Sequence, residues 1–161
     1  MKNTPFIAVT SQPVPYLADT TAIFNPLCHQ NSNSLLLDSA EIGSKNSLQS
    51  LILINAAVKI TCLGNQVTFR ALNANGKQVL KEIHPVLSQL GTVSAVNFDN
   101  EFSVQFAPLN NQLDEDSKLQ AATIFDGLRV ISNHYQHSST PDFLGGLVAY
   151  DLVANCIPMQ G

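Results

Sequence analysis

The sequence has few charged residues and no run of basic ones. Charged residues make up 12% of the 161 residues, and the formal net charge is −4. A typical soluble domain has about a quarter of its residues charged. Because nucleic acids and anionic membranes are recognised by clustered Lys and Arg, we expect neither as a partner. So few charges favour a surface that is partly covered by another domain or subunit.

Long apolar runs and a regular cysteine framework are missing as well. No apolar run is long enough to span a bilayer, and the N-terminus lacks the sustained apolar core of a secretory signal. The three cysteines, Cys28, Cys62 and Cys156, stand at unrelated spacings. We therefore expect reduced thiols in a cytoplasmic protein. The length and a hydrophobic content of 45% indicate one domain, or an incomplete part of a larger one.

The hydrophobic pattern predicts an α+β fold in which largely antiparallel, mixed sheets pack against helices. Asp19 or Thr20 is placed to cap the first helix, and the clearest hairpin turns at Leu63-Gly64-Asn65. Pro26 and Pro85 stand where each would disturb a helix. The predicted strands are 6–10, 35–37, 51–62, 66–72, 102–106 and 145–150, and the predicted helices are 20–27, 79–90 and 119–131.

The most informative stretch is 34–42, in which three leucines run directly into Asp38 and Ser39. A short apolar run of this kind predicts a buried strand, which places the acid and the hydroxyl at its exit. These two side chains can receive an ammonium group and a hydrogen-bond donor, as a pocket for a small amino acid requires. Both residue types also favour caps and turns, which on spacing alone is their commoner use.

Histidines and cysteines do not combine into a recognisable site. His134 and His137 fit no structural zinc spacing, so solvated loop histidines are the better interpretation. Cys28 and His29 are neighbours, whose side chains point apart on a helix or a strand, so they do not form a nucleophile and base. We expect no metal ligands in this chain.

Two further motifs favour structural roles. Gly145-Gly146 lacks the spacing of a phosphate-binding loop and indicates a tight strand entry where a neighbouring backbone approaches closely. The acidic run at 114–116 precedes a helical pattern and is suited to its N-terminus rather than to calcium. We find no constellation for acid–base or covalent catalysis and expect no catalytic residue.

Three segments together resemble one family. They are 35–42, then 113–116 followed by 124–129, and finally 143–153. In this order and at these separations they resemble the N-terminal region of bacterial anthranilate synthase component I, over about residues 16–153. Within the same enzyme class, the aminodeoxychorismate and isochorismate synthases fit the stretch 35–42 less well.

The resemblance implies a part of a larger, two-domain enzyme. The complete family enzyme makes anthranilate and pyruvate from chorismate and glutamine-derived ammonia in tryptophan biosynthesis, with Mg²⁺ and a glutaminase partner, component II. Its chorismate and metal residues belong to a C-terminal domain that residues 1–161 do not include. The expectation is a single N-terminal domain without a cofactor of its own, inactive as an enzyme when alone.

The resemblance also implies a feedback site for L-tryptophan. The family's Leu-Leu-Glu-Ser motif maps onto residues 36–39, so Ser39 would hydrogen-bond the ligand, Asp38 would pair with its ammonium group and Leu37 would contact the indole. Arg129 matches an arginine linked to the inhibited state. Two departures weaken the expected binding: Asp38 is one methylene shorter than the usual Glu, and Gln49 replaces a lysine.

Two other interpretations stay open at this stage. The chain is alternatively a non-enzymatic assembly module that holds a glutaminase subunit. It is also interpretable as a truncated, inactive fragment, because residues 155–161 stop matching the family pattern.

Overall fold

The computed structural model describes residues 10–28, 31–38, 50–97, 99–108, 116, 121–135 and 144–149. The described strands form two antiparallel sheets, β1-β2 and β3-β4-β6-β5, which confirms the α+β prediction. The chain divides into two compact units between Ala56 and Ala57. In chain order the elements are α1 (Thr20–Cys28), β1 (Leu35–Asp38), β2 (Ser50–Leu53), β3 (Val58–Leu63), β4 (Gln66–Ala71), α2 (Ala74–Leu87), β5 (Thr92–Asn97), β6 (Glu101–Gln105) and α3 (Ile124–His134).

The smaller unit contains α1, which begins where the sequence predicted. The Asp19 side chain caps the helix by accepting a hydrogen bond from the backbone N–H of Ala22, at 2.9 Å. Pro26 lies inside the last turn of α1, and the helix continues to Cys28. Pro26 costs one backbone hydrogen bond without ending the helix. None of the helices in the described ranges has the length and hydropathy needed to cross a bilayer.

Strands β1 and β2 form a two-stranded ribbon. Leu37 pairs with Leu51, and Asp38 pairs with Ser50 at the end of the ribbon. The expectation of a buried strand is wrong here, since Leu35 and Leu36 are half-buried and Leu37 and Asp38 are exposed. Among the described residues β1 pairs with β2 alone, and a two-stranded ribbon by itself buries little of either strand.

The single strand predicted over 51–62 is two strands that belong to different sheets. The backbone carbonyl of Ile54 leaves the ladder and accepts hydrogen bonds from Asn31 Nδ2 at 2.8 Å and Ser34 Oγ at 2.9 Å. These side chains compete with strand pairing for the same carbonyl. Because both come from the segment between α1 and β1, an apolar pattern within 51–62 does not reveal the break.

The larger unit is built on the predicted hairpin β3–β4. Gly64 stands in its two-residue turn with φ 54°, a left-handed conformation that glycine adopts without strain. One face of the four-stranded sheet is apolar, and the rings of Phe69 and Phe102 stack there at 5.3 Å between centroids. Helices α2 and α3 cover this face. The buried core consists of Val67, Phe69, Leu80, Ile83, Leu87, Phe102, Val104, Phe106, Ile124, Ile131 and Tyr135.

Helix α2 confirms the helical pattern, although it begins at Ala74 rather than at residue 79. Of the bend or interruption expected at Pro85, an interruption is excluded, because the helix continues through Pro85. Asn73 caps the helix by accepting from the backbone N–H of Gly76, at 3.0 Å. Pro85 lies in the last turn, where it removes one hydrogen bond, and the helix ends at Leu87 rather than at residue 90. Gly76 packs so closely that a Cβ there would overlap the backbone carbonyl of Ala57.

One strand of the structure was missed, one predicted strand is wrong, and one lies almost entirely outside the described residues. Strand β5, Thr-Val-Ser-Ala-Val-Asn, was not predicted, and its pairing with β6 is irregular between Ser94 and Asn97. The strand predicted over 145–150 is wrong for 145–149, which have no regular secondary structure and are exposed. Of the strand predicted over 6–10, only Thr10 is described, and it is not in a strand.

Helix α3 begins five residues later than predicted. Its N-cap is Thr123, whose backbone N–H donates to Asp126 Oδ2 at 2.7 Å in a capping box. The acidic run 114–116 therefore does not cap α3; of that run, only Asp116 is described.

The second face of the four-stranded sheet is polar. Thr61, Thr68, Ser103 and Ser94 are in register across its four strands, and we call them the hydroxyl row. Thr68 Oγ1 and Ser103 Oγ lie 2.8 Å apart and share a hydrogen bond. All four residues are half-buried or exposed, so this face contributes nothing to the apolar core.

Candidate functional site

Asp38 ends β1, and its exposed carboxylate is held by two hydroxyl groups. Its Oδ2 accepts a hydrogen bond from Thr20 Oγ1 at 3.1 Å. Its Oδ1 accepts from Ser50 Oγ. Thr20 is the first residue of α1. The carboxylate therefore lies beside a helix N-terminus, whose partial positive charge favours an anion.

This arrangement leaves the carboxylate able to bind a cationic group. An ionised carboxylate has about four lone-pair sites, and the two hydroxyl groups use two of them. Asp38 is exposed, and both of these partners are neutral. An ammonium group is therefore a suitable third partner.

Of the other residues predicted to bind the ligand, only Leu37 is among the described residues, and its side chain lies on the opposite face of the ribbon from that of Asp38. Leu37 and Asp38 are consecutive in β1, so their side chains point to opposite faces of the ribbon. Leu37 is 42% exposed and lies across from Leu51 on its own face. A small ligand reaches both Leu37 and Asp38 only around the end of the ribbon. Ser39 and Gln49 lie outside the described residues.

Arg129 belongs to the larger unit. It lies on α3, and its Nη1 forms an ion pair with Asp126 Oδ1 at 2.9 Å. Burial alone would raise the pKa of Asp126, but the hydrogen bonds from Thr123 and from Arg129 outweigh it, so that pKa is lowered. Arg129 thus contacts Asp126 in the first turn of α3.

His134 is not the solvated loop histidine that the sequence indicated. It ends α3, and its ring contacts Tyr135 edge-on at 4.9 Å between centroids. Its Nε2 lies 3.3 Å from Glu82 Oε2, which also accepts from the Tyr135 hydroxyl at 2.8 Å. These contacts join the end of α3 to α2. His137 lies outside the described residues.

The remaining motifs form no site in the described part of the chain. Cys28 is buried and Cys62 is exposed, and both are free thiols as expected; His29 is outside the described residues. No group of three His, Cys, Asp or Glu side chains suited to a metal ion occurs among the described residues. A Cβ on Gly146 would meet nothing within 4 Å, so the close backbone approach predicted there is wrong.

A shallow groove of about 460 Å³ lies in the larger unit, between the end of α2 and the end of β6. It is lined by residues 88–92 and 105–108. None of the residues predicted to bind tryptophan lines it, and its wall carries no ionisable side chain.

Comparison with known proteins identifies the relatives of this chain. No protein-family model matches it. It is 83% identical over 156 residues, 97% of this chain, to anthranilate synthase component 1 of Haemophilus influenzae. The chain is homologous to the N-terminal part of anthranilate synthase component 1.

Other component 1 proteins agree with this relationship. Identity is 43% over 162 residues with the Vibrio cholerae protein and 37% over 142 residues with the Escherichia coli protein. These matches cover 99% and 86% of this chain. The chain spans 30%, 31% and 27% of the lengths of the three component 1 proteins.

Sequence reasoning missed Thr20 and Ser50 in this component 1 homologue. Thr20 lies 18 residues before Asp38 and Ser50 lies 12 residues after it, and neither residue stands in a motif. Only the register of β1 with β2 could have indicated Ser50, because Asp38 and Ser50 are a cross-strand pair. Thr20 approaches Asp38 through the packing of α1, for which the sequence offers no signal.

Proposed function

We propose that this chain is the regulatory, tryptophan-sensing N-terminal part of anthranilate synthase component I. The proposed complete enzyme makes anthranilate from chorismate and glutamine-derived ammonia in tryptophan biosynthesis. The observation that carries this proposal is the 83% identity to a component 1 protein over 97% of the chain.

The geometry at Asp38 supports a site for the amino-acid end of the ligand. Its exposed carboxylate, with two neutral partners, pairs with the ammonium group of L-tryptophan. In this proposal Ser39 donates a hydrogen bond to the ligand, and Leu37 contacts the indole around the end of the ribbon. Asp38 in place of Glu and Gln49 in place of a basic residue make this a weaker site than the family pattern provides.

The proposed mechanism is allosteric. Tryptophan favours one arrangement of the complete enzyme, and chorismate binding is disfavoured by the same coupling free energy, typically about 1–3 kcal/mol. Arg129, fixed through Asp126 at the start of α3, is the residue of the larger unit assigned to the inhibited state. The proposal places chorismate, Mg²⁺ and the catalytic residues in the remainder of component I. It also makes a component II glutaminase the partner subunit, in the cytoplasm.

Tryptophan binding is directly measurable, because the chain has no tryptophan of its own. Indole emission, excited beyond the tyrosine absorption, then reports only the added ligand. We expect a saturable change in emission with L-tryptophan and a matching heat in calorimetry. Ser39→Ala abolishes both, whereas Ser34→Ala, whose hydroxyl bonds the Ile54 carbonyl at the far end of the ribbon, retains them.

The opposite results contradict the proposal. No saturable signal with the folded 161-residue chain excludes a tryptophan site in it. Binding that is equally strong in Ser39→Ala moves the site away from the end of β1.

One observation favours a second candidate, an assembly module for a glutaminase subunit. Leu147 is 94% exposed and Val148 is 77% exposed, in a segment without regular secondary structure. Exposed neighbouring apolar residues are typical of a protein interface. A complex with a glutaminase subunit in sedimentation velocity, lost in Leu147→Ser and formed without any tryptophan response, supports this candidate. No binding to either partner favours an inactive fragment.

A further inference from the structure

The two hydroxyl groups on Asp38 come from different elements. Thr20 is the first residue of α1, and Ser50 is the first residue of β2. Each donates to a different oxygen of the same carboxylate. An exposed aspartate normally samples several side-chain rotamers, so donors on both oxygens restrict the orientation of the group.

The chemistry of these donors is suited to a carboxylate that must still bind a cation. A Lys or Arg partner would neutralise Asp38 and compete with a ligand ammonium group. A hydroxyl donor holds the oxygen in place and leaves the negative charge intact. Among the described residues, the uncharged hydroxyl groups of Thr20 and Ser50 each donate to one oxygen of the Asp38 carboxylate.

We propose that Thr20 and Ser50 are positioning residues that hold the Asp38 carboxylate in the orientation that receives the ligand's ammonium group. This inference rests on the proposed tryptophan site and adds the residues that prepare it. Neither residue contacts the ligand; both act through Asp38. Prior orientation lowers the conformational cost of binding, so their removal weakens binding without changing the charge of the site.

A double-mutant cycle on the 161-residue chain tests this, with L-tryptophan dissociation constants from calorimetry. Ser50→Ala and Thr20→Val each weaken binding by about fivefold, which corresponds to the loss of one hydrogen bond. In the Asp38→Asn background, Ser50→Ala changes the remaining affinity by less than about twofold, because the residue acts through the carboxylate. Ser50→Thr keeps the hydroxyl group and restores the parental affinity.

Ser34→Ala is the matched control for stability. It removes a serine hydroxyl from the same ribbon, but one that bonds a backbone carbonyl instead of Asp38. We expect it to lower the thermal midpoint at least as much as Ser50→Ala while leaving the dissociation constant unchanged. If both variants weaken binding equally, the effect of Ser50 is merely structural and the inference is wrong.

The outcomes separate this inference from the function on which it rests. If the parent chain binds tryptophan and Ser50→Ala binds equally well, the positioning role is overturned and the site stands. An undiminished effect of Ser50→Ala in the Asp38→Asn background also overturns it. If the parent itself shows no binding, the tryptophan site is excluded, and the positioning role is excluded with it.

Discussion

Asp126 joins three interactions at the start of α3. It accepts from the backbone N–H and from the hydroxyl of Thr123, and it pairs with Arg129. These contacts lower the pKa of Asp126 against the opposing effect of burial. The pKa of Glu82 is lowered in the same way: burial would raise it, but the hydrogen bonds from Gln78 and Tyr135, with the His134 ring close by, lower it. Both carboxylates favour the folded state most when they are ionised.

A pH dependence of stability follows from these lowered pKa values. A carboxylate whose pKa is lower in the folded state stabilises the fold fully above its unfolded pKa, about 4, and loses that contribution as the pH falls through its folded value. We expect the free energy of unfolding, from urea titrations, to fall between about pH 5 and pH 3. Asp126→Asn does not titrate, so its deficit relative to the parent shrinks in acid. A deficit that is equal at pH 7 and pH 3 contradicts this assignment.

The Tyr135 hydroxyl provides a second test at this scale. Tyr135 is 6% exposed, and its hydroxyl donates to Glu82 across 53 residues of chain. Tyr135→Phe keeps the ring packed and removes this bond, so we expect a loss of about 1 kcal/mol in unfolding free energy. Gln78→Ala, which removes another donor to Glu82 on the exposed side of α2, serves as the comparison and costs less. A loss no larger in Tyr135→Phe than in Gln78→Ala contradicts the role given to the hydroxyl.

At the scale of elements, two helical glycines differ in what surrounds them. Gly76 in α2 faces the Ala57 backbone carbonyl, and a Cβ there overlaps it. Gly127 in α3 faces the rings of Phe69 and Phe106, and a Cβ there meets their nearest atoms at ordinary contact distances of 3.5 Å. The first is required by a close backbone approach, whereas the second is a helix residue of poor propensity.

The same substitution therefore has opposite effects at these positions. Gly127→Ala raises the free energy of unfolding by about 0.5–1 kcal/mol, because alanine has the higher helix propensity. Gly76→Ala lowers it by about 2 kcal/mol or more, because the clashing atom is backbone. Thermal and urea unfolding of the two variants beside the parent measure both. If both substitutions changed the free energy of unfolding in the same direction, one of these two packing assignments would be wrong.

The elements that the sequence predicted well are those whose signals are local. The β3–β4 hairpin is defined by Gly64 and its alternating flanks, and α2 by the spacing of Leu80, Ile83 and Leu87. The failures have non-local causes. The break at Ile54 depends on side chains from before β1, and β5 is ordered by pairing with β6 rather than by its own composition.

At the scale of the whole molecule, the chain corresponds to only part of the length of its component 1 relatives. It spans 30% of the Haemophilus influenzae component 1 protein. Its candidate site lies in the smaller unit, and Arg129 lies in the larger one. The motif at residues 36–39 draws attention to Asp38, whose role in ligand binding stays a prediction, whereas the hydroxyl groups that hold it are brought there by the fold.

We expect the purified 161-residue chain to form no anthranilate from chorismate and ammonia, with or without Mg²⁺. The described residues include no cluster suited to a metal ion, and the proposal assigns catalysis to the remainder of component I. Anthranilate fluorescence measures the product directly, and a complete component 1 protein is the positive control. Anthranilate formed by the purified chain would contradict the proposal that catalysis belongs to the remainder of component I.

The hydroxyl row crosses the sheet from one edge strand to the other, and its consequence concerns how the sheet meets water. Threonine and valine share a shape, so exchanging Thr68 for valine leaves the apolar core on the other face unchanged and removes the hydrogen bond to Ser103. What changes is the outer surface of the sheet, because a methyl group there takes the place of a hydroxyl that water can solvate. Thr68 lies in register with Thr61 and Ser103, so the exchange adds apolar area to a face that is largely hydrophilic.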